Sequence, residues 1–252
     1  MARPSAKPAA SPEAAAVLDA WLFDLDPPAA ALSRLHDLLD DAERVHAARF
    51  RFAEHRRRFV ARRGQLRILL GERLGRDPAR IGFTHNAYGK PEVEDGGTLR
   101  FSASHSADLG LCIVSDGIEL GCDVERRNPR LADPETAERL FARGESAALR
   151  ALPPAFWLEA FFNCWTRKEA YVKALGLGLS LPLDGFEVSV APDAPAALLS
   201  SAPGWSIHAF TPASGYQAAL VAAGETARDG IVLHRLDLHR LDLPRAVLRG
   251  TA

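Results

Sequence analysis

The 252-residue sequence contains only three cysteines and one methionine, and its 31 basic and 32 acidic side chains nearly cancel. Each of these features excludes something. Cys112, Cys122 and Cys164 are odd in number and far apart, so they form neither a disulfide framework nor a CxxC metal site and are expected as small buried residues. No apolar run approaches the roughly 18 residues of a membrane span, and the first twenty residues lack the apolar core of a secretory signal. A cytoplasmic protein is therefore expected, with neither membrane nor nucleic acid among its partners. Residues 1–16 are rich in Ala, Pro and Ser, have little to pack, and read as a disordered tail. The remainder, in a chain that is 47% hydrophobic, suffices for one large or two small domains.

The most informative stretch is Phe161–Leu181, FFNCWTRKEAYVKALGLGLSL. Pro153 and Pro154 suit the start of a helix and Gly176 suits its left-handed end. Between them Leu158, Phe161, Phe162, Trp165 and Val172 recur at helical spacing as one apolar stripe. Projected at about 100° per residue, Glu169 falls inside that stripe. Lys173 lies one turn further on. A carboxylate turned inward must be compensated, either by an i,i+4 ion pair with Lys173 or by a cation or donors from elsewhere in the chain.

A second carboxylate cluster lies upstream. Leu109–Ser115 and Ile118–Arg126 read as strands joined in a hairpin at Asp116-Gly117. In the second strand Leu120, Cys122 and Val124 share one face, and Gly121, Asp123 and Glu125 share the other. Two carboxylates converging on a half-buried face repel each other, and a divalent cation resolves the repulsion; Mg²⁺ is typically held by one or two carboxylates with substrate phosphates completing its shell. The alternative is an exposed face on which Asp123 and Glu125 pair with Arg126 and Arg127.

Elsewhere, Trp21–Asp26 reads as a first strand, Leu32, Leu35, Leu38 and Leu39 mark a helix, and a second helix runs from about Glu54 to Leu74. That helix carries Arg56, Arg57, Arg58, Arg62, Arg63 and Arg67, a run that suits a solvated face. Arg63 is the exception, because it projects beside Phe59, Leu66, Leu70 and Leu74, and an inward guanidinium wants a phosphate or a carboxylate. Tyr88–Arg100 reads as a turn, YGKP, followed by an acidic Gly-rich loop, and Arg100–Ser106 as a strand. Asp133-Pro134-Glu135 starts a short helix to about Phe141, and Glu145 begins another. Leu181–Val190, Trp205–Phe210, Tyr216–Ala222 and Ile231–Leu243 are the remaining strand candidates.

In order along the chain, YGKP, FSASHS, GCDVE and WTRKEAYVKALGLGLSLPL resemble the motifs of 4′-phosphopantetheinyl transferases of the surfactin-synthetase-activating type. RFRFAEHRRRFVARRGQLR is similar to that family's N-terminal helix, and the resemblance covers roughly residues 20 to 222. It implies an α/β (α+β) fold of two pseudosymmetric halves, here residues 17–117 and 118–252, with the active site in the cleft between them and the last strand and tail free to pack back on the first half. It also implies transfer of the phosphopantetheine arm of coenzyme A to a serine of an apo acyl or peptidyl carrier protein, with Mg²⁺ as cofactor, in a monomer serving secondary metabolite biosynthesis. Asp123, Glu125 and Glu169 would be the metal ligands. Lys173 would contact the pyrophosphate, Ser104 and His105 the nucleotide phosphates, Lys90 the adenine side, and Arg58 and Arg63 the 3′-phosphate. Glu169 would serve as the base, with Glu145 or water as the alternative.

The carrier is expected to dock on the basic segment that follows the carboxylates, where Arg126, Arg127, Arg130, Arg139 and Arg143 are interleaved with Leu131, Leu140 and Phe141. Two other functions use overlapping parts. A Mg²⁺-dependent phosphohydrolase would keep the carboxylates and position a water, whereas a non-catalytic coenzyme A-binding protein would lose them.

Overall fold

A computed structural model describes residues 18–200, 204–226 and 231–238. The expected tail therefore lies outside the described residues. Two units of the same topology follow one another. The first runs β1 (Leu18–Asp24), α1 (Ala29–Asp37), α2 (Asp41–Ala48), α3 (Ala53–Leu74), a short ribbon of β2 (Phe83–His85) and β3 (Pro91–Val93), then β4 (Leu99–Ser106) and β5 (Leu109–Asp116). The second runs β6 (Leu120–Arg126), α4 (Pro134–Leu140), α5 (Arg143–Ala151), α6 (Trp157–Leu175), β7 (Trp205–Phe210) and β8 (Tyr216–Ala223). Both units share one strand, three helices and an antiparallel hairpin, the first adding the β2–β3 ribbon, and their sheets share the order β4-β5-β1 and β7-β8-β6. A last strand, β9 (Ile231–Arg235), pairs in parallel with β1.

Three apolar clusters follow from this arrangement. Alternate residues of β1 separate two of them: Leu18, Ala20 and Leu22 face the other sheet, while Phe23 faces the helices. The cluster between the sheets also takes Leu120, Cys122 and Val124 from β6 and Ala218, Leu220 and Ala222 from β8. α1 to α3 cover the outer face of one sheet and α4 to α6 that of the other. All three cysteines are buried and unpaired.

The expected β5–β6 hairpin does not form. β5 is bonded to β4 on one edge and β1 on the other, so no edge remains for β6, which pairs with β8. Gly117, at φ 75°, turns the chain out of one sheet and into the next. β1 begins three residues earlier than expected, and α2 was not anticipated, although Asp40 and Glu43 form a reciprocal capping box at its start.

Leu181–Val190 is not a strand either. Residues 178–180 and 183–185 form single 3₁₀ turns. The backbone beyond them is held by side chains: Lys168 Nζ donates to the carbonyls of Leu183 and Phe186, and Val188 N–H donates to Glu145. Lys168 and Glu145 form a fully buried ion pair at 2.7 Å. Glu145 also accepts from Ala142 N–H, which closes the start of α5. Lys168→Met would strand a buried carboxylate, and breaking such a pair costs roughly 3–5 kcal/mol. Urea denaturation should show that loss, with a smaller one in Lys168→Met/Glu145→Gln, where neither charge remains; equal losses would assign the pair no coupling.

Candidate active site

The two sheets meet along β4 and β6, and this seam builds the site. Ser102, Ser104 and Ser106 alternate on β4, so all three point the same way. Ser102 Oγ accepts from Cys122 N–H at 3.1 Å, Ser104 Oγ donates to Asp123 Oδ1 at 2.6 Å, and Ser106 Oγ donates to Glu125 Oε2 at 2.6 Å. Of the three, only Ser104 was expected at the site. The period-two spacing of serines in FSASHS was the signal for the other two.

α6 supplies the rest. It ends at Gly176, whose φ of 66° is left-handed. It lies against β6 at Gly121, where an added Cβ would fall 2.1 Å from the Ala170 carbonyl oxygen. This close approach puts Lys173 Nζ 2.6 Å from Asp123 Oδ1 and 3.0 Å from Ser104 Oγ. The i,i+4 pair between Glu169 and Lys173 is absent among the described residues, as is any pairing of Asp123 or Glu125 with Arg126 or Arg127.

Three carboxylates thus lie on one side of the seam with only part of their charge balanced. Asp123 is 2% exposed, and its Oδ2 is buried with no partner among the described residues. Burial pushes the Glu125 pKa up to about 7, with the Asp123 and Glu169 charges adding to the shift. Burial, then Asp123, also raises Glu169, whose carboxylate makes no hydrogen bond among the described residues. Lys173 is shifted upward: burial works against its charge, but the carboxylates outweigh it, so it stays protonated. Among the described residues no three Asp, Glu, His or Cys side chains already close into a metal cage. Asp123, Glu125 and Glu169 are nonetheless the set that could hold a hard cation, because Asp123 Oδ2 lacks the partner that a buried carboxylate oxygen requires.

His105 projects from the opposite face of β4 to Ser104. Its Nδ1 lies 3.2 Å from Arg62 Nη1. A guanidinium only donates, so Nδ1 accepts and the ring is neutral. Partial desolvation of an otherwise exposed ring, then the Arg62 and Lys173 charges, hold the His105 pKa down to about 4. Arg62 belongs to a run that suits a solvated face, yet burial lowers its pKa to about 10 and its Nε has no partner among the described residues. Arg62, Arg63, Ser104, Pro91, Phe101 and Ala103 line a cavity of about 100 Å³. It abuts a second, of about 220 Å³, that shares Pro91, Phe101 and Ala103 and adds Tyr88, Lys90 and Lys173.

Several expected contacts are redirected. The inward guanidinium of Arg63 finds a carboxylate, Glu43, and lies over the Phe83 ring at 4.2 Å. Arg67, expected at the surface, is fully buried between Glu43, Asp40 and the Ile81 carbonyl. Arg58 pairs with Asp26 and Glu54. Lys90 reaches the cavity wall, but its ammonium donates to the carbonyl of Leu120 at 3.0 Å and that of Ala174 at 3.4 Å, tying β6 to the end of α6. Glu145 has its acceptor positions filled by Lys168, Ala142 and Val188, which makes it a structural residue and no candidate base.

The sequence model of the 4′-phosphopantetheinyl transferase superfamily matches residues 119–221. The 4′-phosphopantetheinyl transferase HetI of Nostoc sp. (strain PCC 7120) is 39% identical over 207 residues, covering 81% of this chain and 86% of the relative. The chain belongs to the 4′-phosphopantetheinyl transferase superfamily. A second superfamily member, the 4′-phosphopantetheinyl transferase Sfp of Bacillus subtilis (strain 168), is 34% identical over 146 residues, or 54% of this chain and 64% of its own. A solved holo-(acyl-carrier-protein) synthase from Bacillus anthracis, in complex with CoA (3′,5′-ADP), is 22% identical with a TM-score of 0.36, covering 43% of this chain and 96% of its own.

Whether Arg62 or Arg63 meets an anion in the cavity that both line is directly testable with inorganic phosphate as the probe. Arg62→Gln should weaken its binding by about tenfold, the loss of one charge-assisted hydrogen bond. Arg63→Gln should leave that affinity unchanged and lower the urea midpoint, because Glu43 then loses a partner. Calorimetry that finds the reverse ranking would return the anion site to Arg63.

Proposed function

We propose that this transferase moves the 4′-phosphopantetheine arm of coenzyme A onto a serine hydroxyl of an apo carrier protein, leaving holo carrier and 3′,5′-ADP. Family membership sets the reaction class, and the observation that supports these residues as its machinery is the seam itself. A buried, half-satisfied Asp123 is joined there to Lys173, with Glu125 and Glu169 beside it and a cleft rich in cations next to it.

In this reading Asp123, Glu125 and Glu169 hold Mg²⁺. When bound, the cation supplies charge stabilisation to the pyrophosphate oxygens. The chain's own groups do the remainder. Lys173 is held protonated between Asp123 and Ser104, and it faces the pyrophosphate as a fixed cation. Arg62 and His105, at the other side of β4, bind a nucleotide phosphate, with the two joined cavities accommodating the nucleotide. Glu169, whose carboxylate has no hydrogen bond among the described residues and a raised pKa, takes the proton of the serine hydroxyl, directly or through water. The bond from the serine oxygen to the β-phosphorus forms as the bond from that phosphorus to the bridging oxygen breaks, and the electron pair leaves with 3′,5′-ADP.

For the carrier, the exposed members of the basic segment are Arg126, Arg130, Arg139 and Arg143, with Leu131 exposed at 55% among them. Arg127 is half-buried against Glu159. Phe141 is 2% exposed and packs on Phe161, so it supports this surface from beneath and does not contact a partner.

Mass spectrometry of apo acyl and peptidyl carrier proteins incubated with coenzyme A and Mg²⁺ tests the reading. The carrier should gain the phosphopantetheine arm, and Asp123→Ala, Glu125→Ala or chelation of Mg²⁺ should abolish most of that gain while the chain stays folded. Hydrolysed coenzyme A with unmodified carrier would instead indicate a phosphohydrolase. Arg139→Glu/Arg143→Glu should raise the KM for carrier and leave that for coenzyme A unchanged, as should added salt. Unaltered carrier kinetics would move docking elsewhere.

A further inference from the structure

A cavity of about 500 Å³, larger than the two at the seam, lies between α6, β7 and the loop at residues 192–196. The proposed transfer reaction makes no use of it. Arg167 lines it and is only 3% exposed. One guanidinium nitrogen, Nη1, donates to the Ser189 carbonyl and hydroxyl, whereas Nε has no partner among the described residues. No carboxylate pairs with Arg167 among the described residues, and burial lowers its pKa to about 10, so it remains charged near neutral pH. A buried cation without a counter-charge is costly unless an anion joins it. Its neighbour Lys168, also buried, has its carboxylate in Glu145.

The rest of the wall narrows the ligand's chemistry. Asn163 and Gln217 are buried and hydrogen-bonded to each other, and Thr211 donates to Gln217, so fixed amides line the deep end beside the guanidinium. The rim carries acids. Glu159 is balanced by Arg127 at 3.4 Å, and Asp193 is exposed with no ion pair among the described residues. A polyanion would meet those carboxylates on entering. A single carboxylate passes them to reach Arg167, and a neutral or ammonium-bearing remainder suits the rim.

We propose that this cavity is a binding site for a small monocarboxylate, whose carboxylate pairs with Arg167. The site is separate from the coenzyme A cleft and does not rest on the transferase reading.

The test uses the full-length chain labelled with ¹⁵N-arginine, titrated separately with acetate, glycine and inorganic phosphate. One arginine Nε–Hε resonance should shift saturably with acetate and glycine and little with phosphate. Arg167→Met should remove that resonance and raise the dissociation constants for acetate and glycine by at least about tenfold, the loss of a charge-assisted pair. Ala194→Trp fills the cavity and leaves Arg167 in place, so it should weaken binding equally; it decides the matter if Arg167→Met does not fold. Absence of a saturable shift with either carboxylate, tighter binding of phosphate, or binding that survives Ala194→Trp would each overturn the proposal.

Discussion

One backbone contact governs the rest: α6 rests directly on β6 where Gly121 has no side chain. Ala170 and Ala174 are four residues apart and therefore on one helical face, and both are buried against this strand. Small residues on both sides let a helix and a sheet approach within the width of a side chain. Lys173, next to Ala174, is thereby carried to Asp123 on the strand below. A helix held at ordinary packing distance would leave that carboxylate without its cation.

The charged residues divide into two groups with different consequences. Arg67 with Glu43 and Asp40, and Lys168 with Glu145, have their hydrogen bonds filled by protein groups and stitch helices to loops in the two halves. Arg62, Asp123, Glu125, Glu169 and Arg167 are partly or wholly unsatisfied. Desolvation without full compensation costs free energy, and chains retain it mainly where a ligand supplies the missing partner. The contrast separates these five from the two stitched clusters, although Arg58 Nε, Trp21 Nε1 and Gln65 Oε1 are also buried without a partner among the described residues.

The sequence made the carboxylates and the helices other than α2 legible because their signals are local; α2 carries a capping box but no long apolar stripe. The stripe through Phe161, Trp165 and Val172 placed Glu169 inward, and alternation in GCDVE put Asp123 and Glu125 on one face. What it could not show were long-range partners. Asp116-Gly117 has hairpin chemistry, yet both edges of β5 are claimed by strands distant in sequence. LPLDGFEVSV alternates like a strand, but Lys168 and Glu145 take its backbone groups. Arg63 projects inward as expected, and only the fold reveals that Glu43, twenty residues earlier, is waiting for it while Arg62 turns to His105. The seam between β4 and β6, where three serines meet the carboxylate strand, joins the two halves and has no local signature beyond the serine alternation.

The account stands most directly on the closeness of α6 and β6, and turnover of Gly121→Ala measures it. A methyl group at 2.1 Å from a helix carbonyl must push α6 outward and draw Lys173 away from Asp123. With carrier and coenzyme A saturating, and rates referred to the folded fraction, the expected result is a loss of transfer of at least about tenfold, the equivalent of one charge-assisted contact. Wild-type turnover in a folded Gly121→Ala protein would contradict the account.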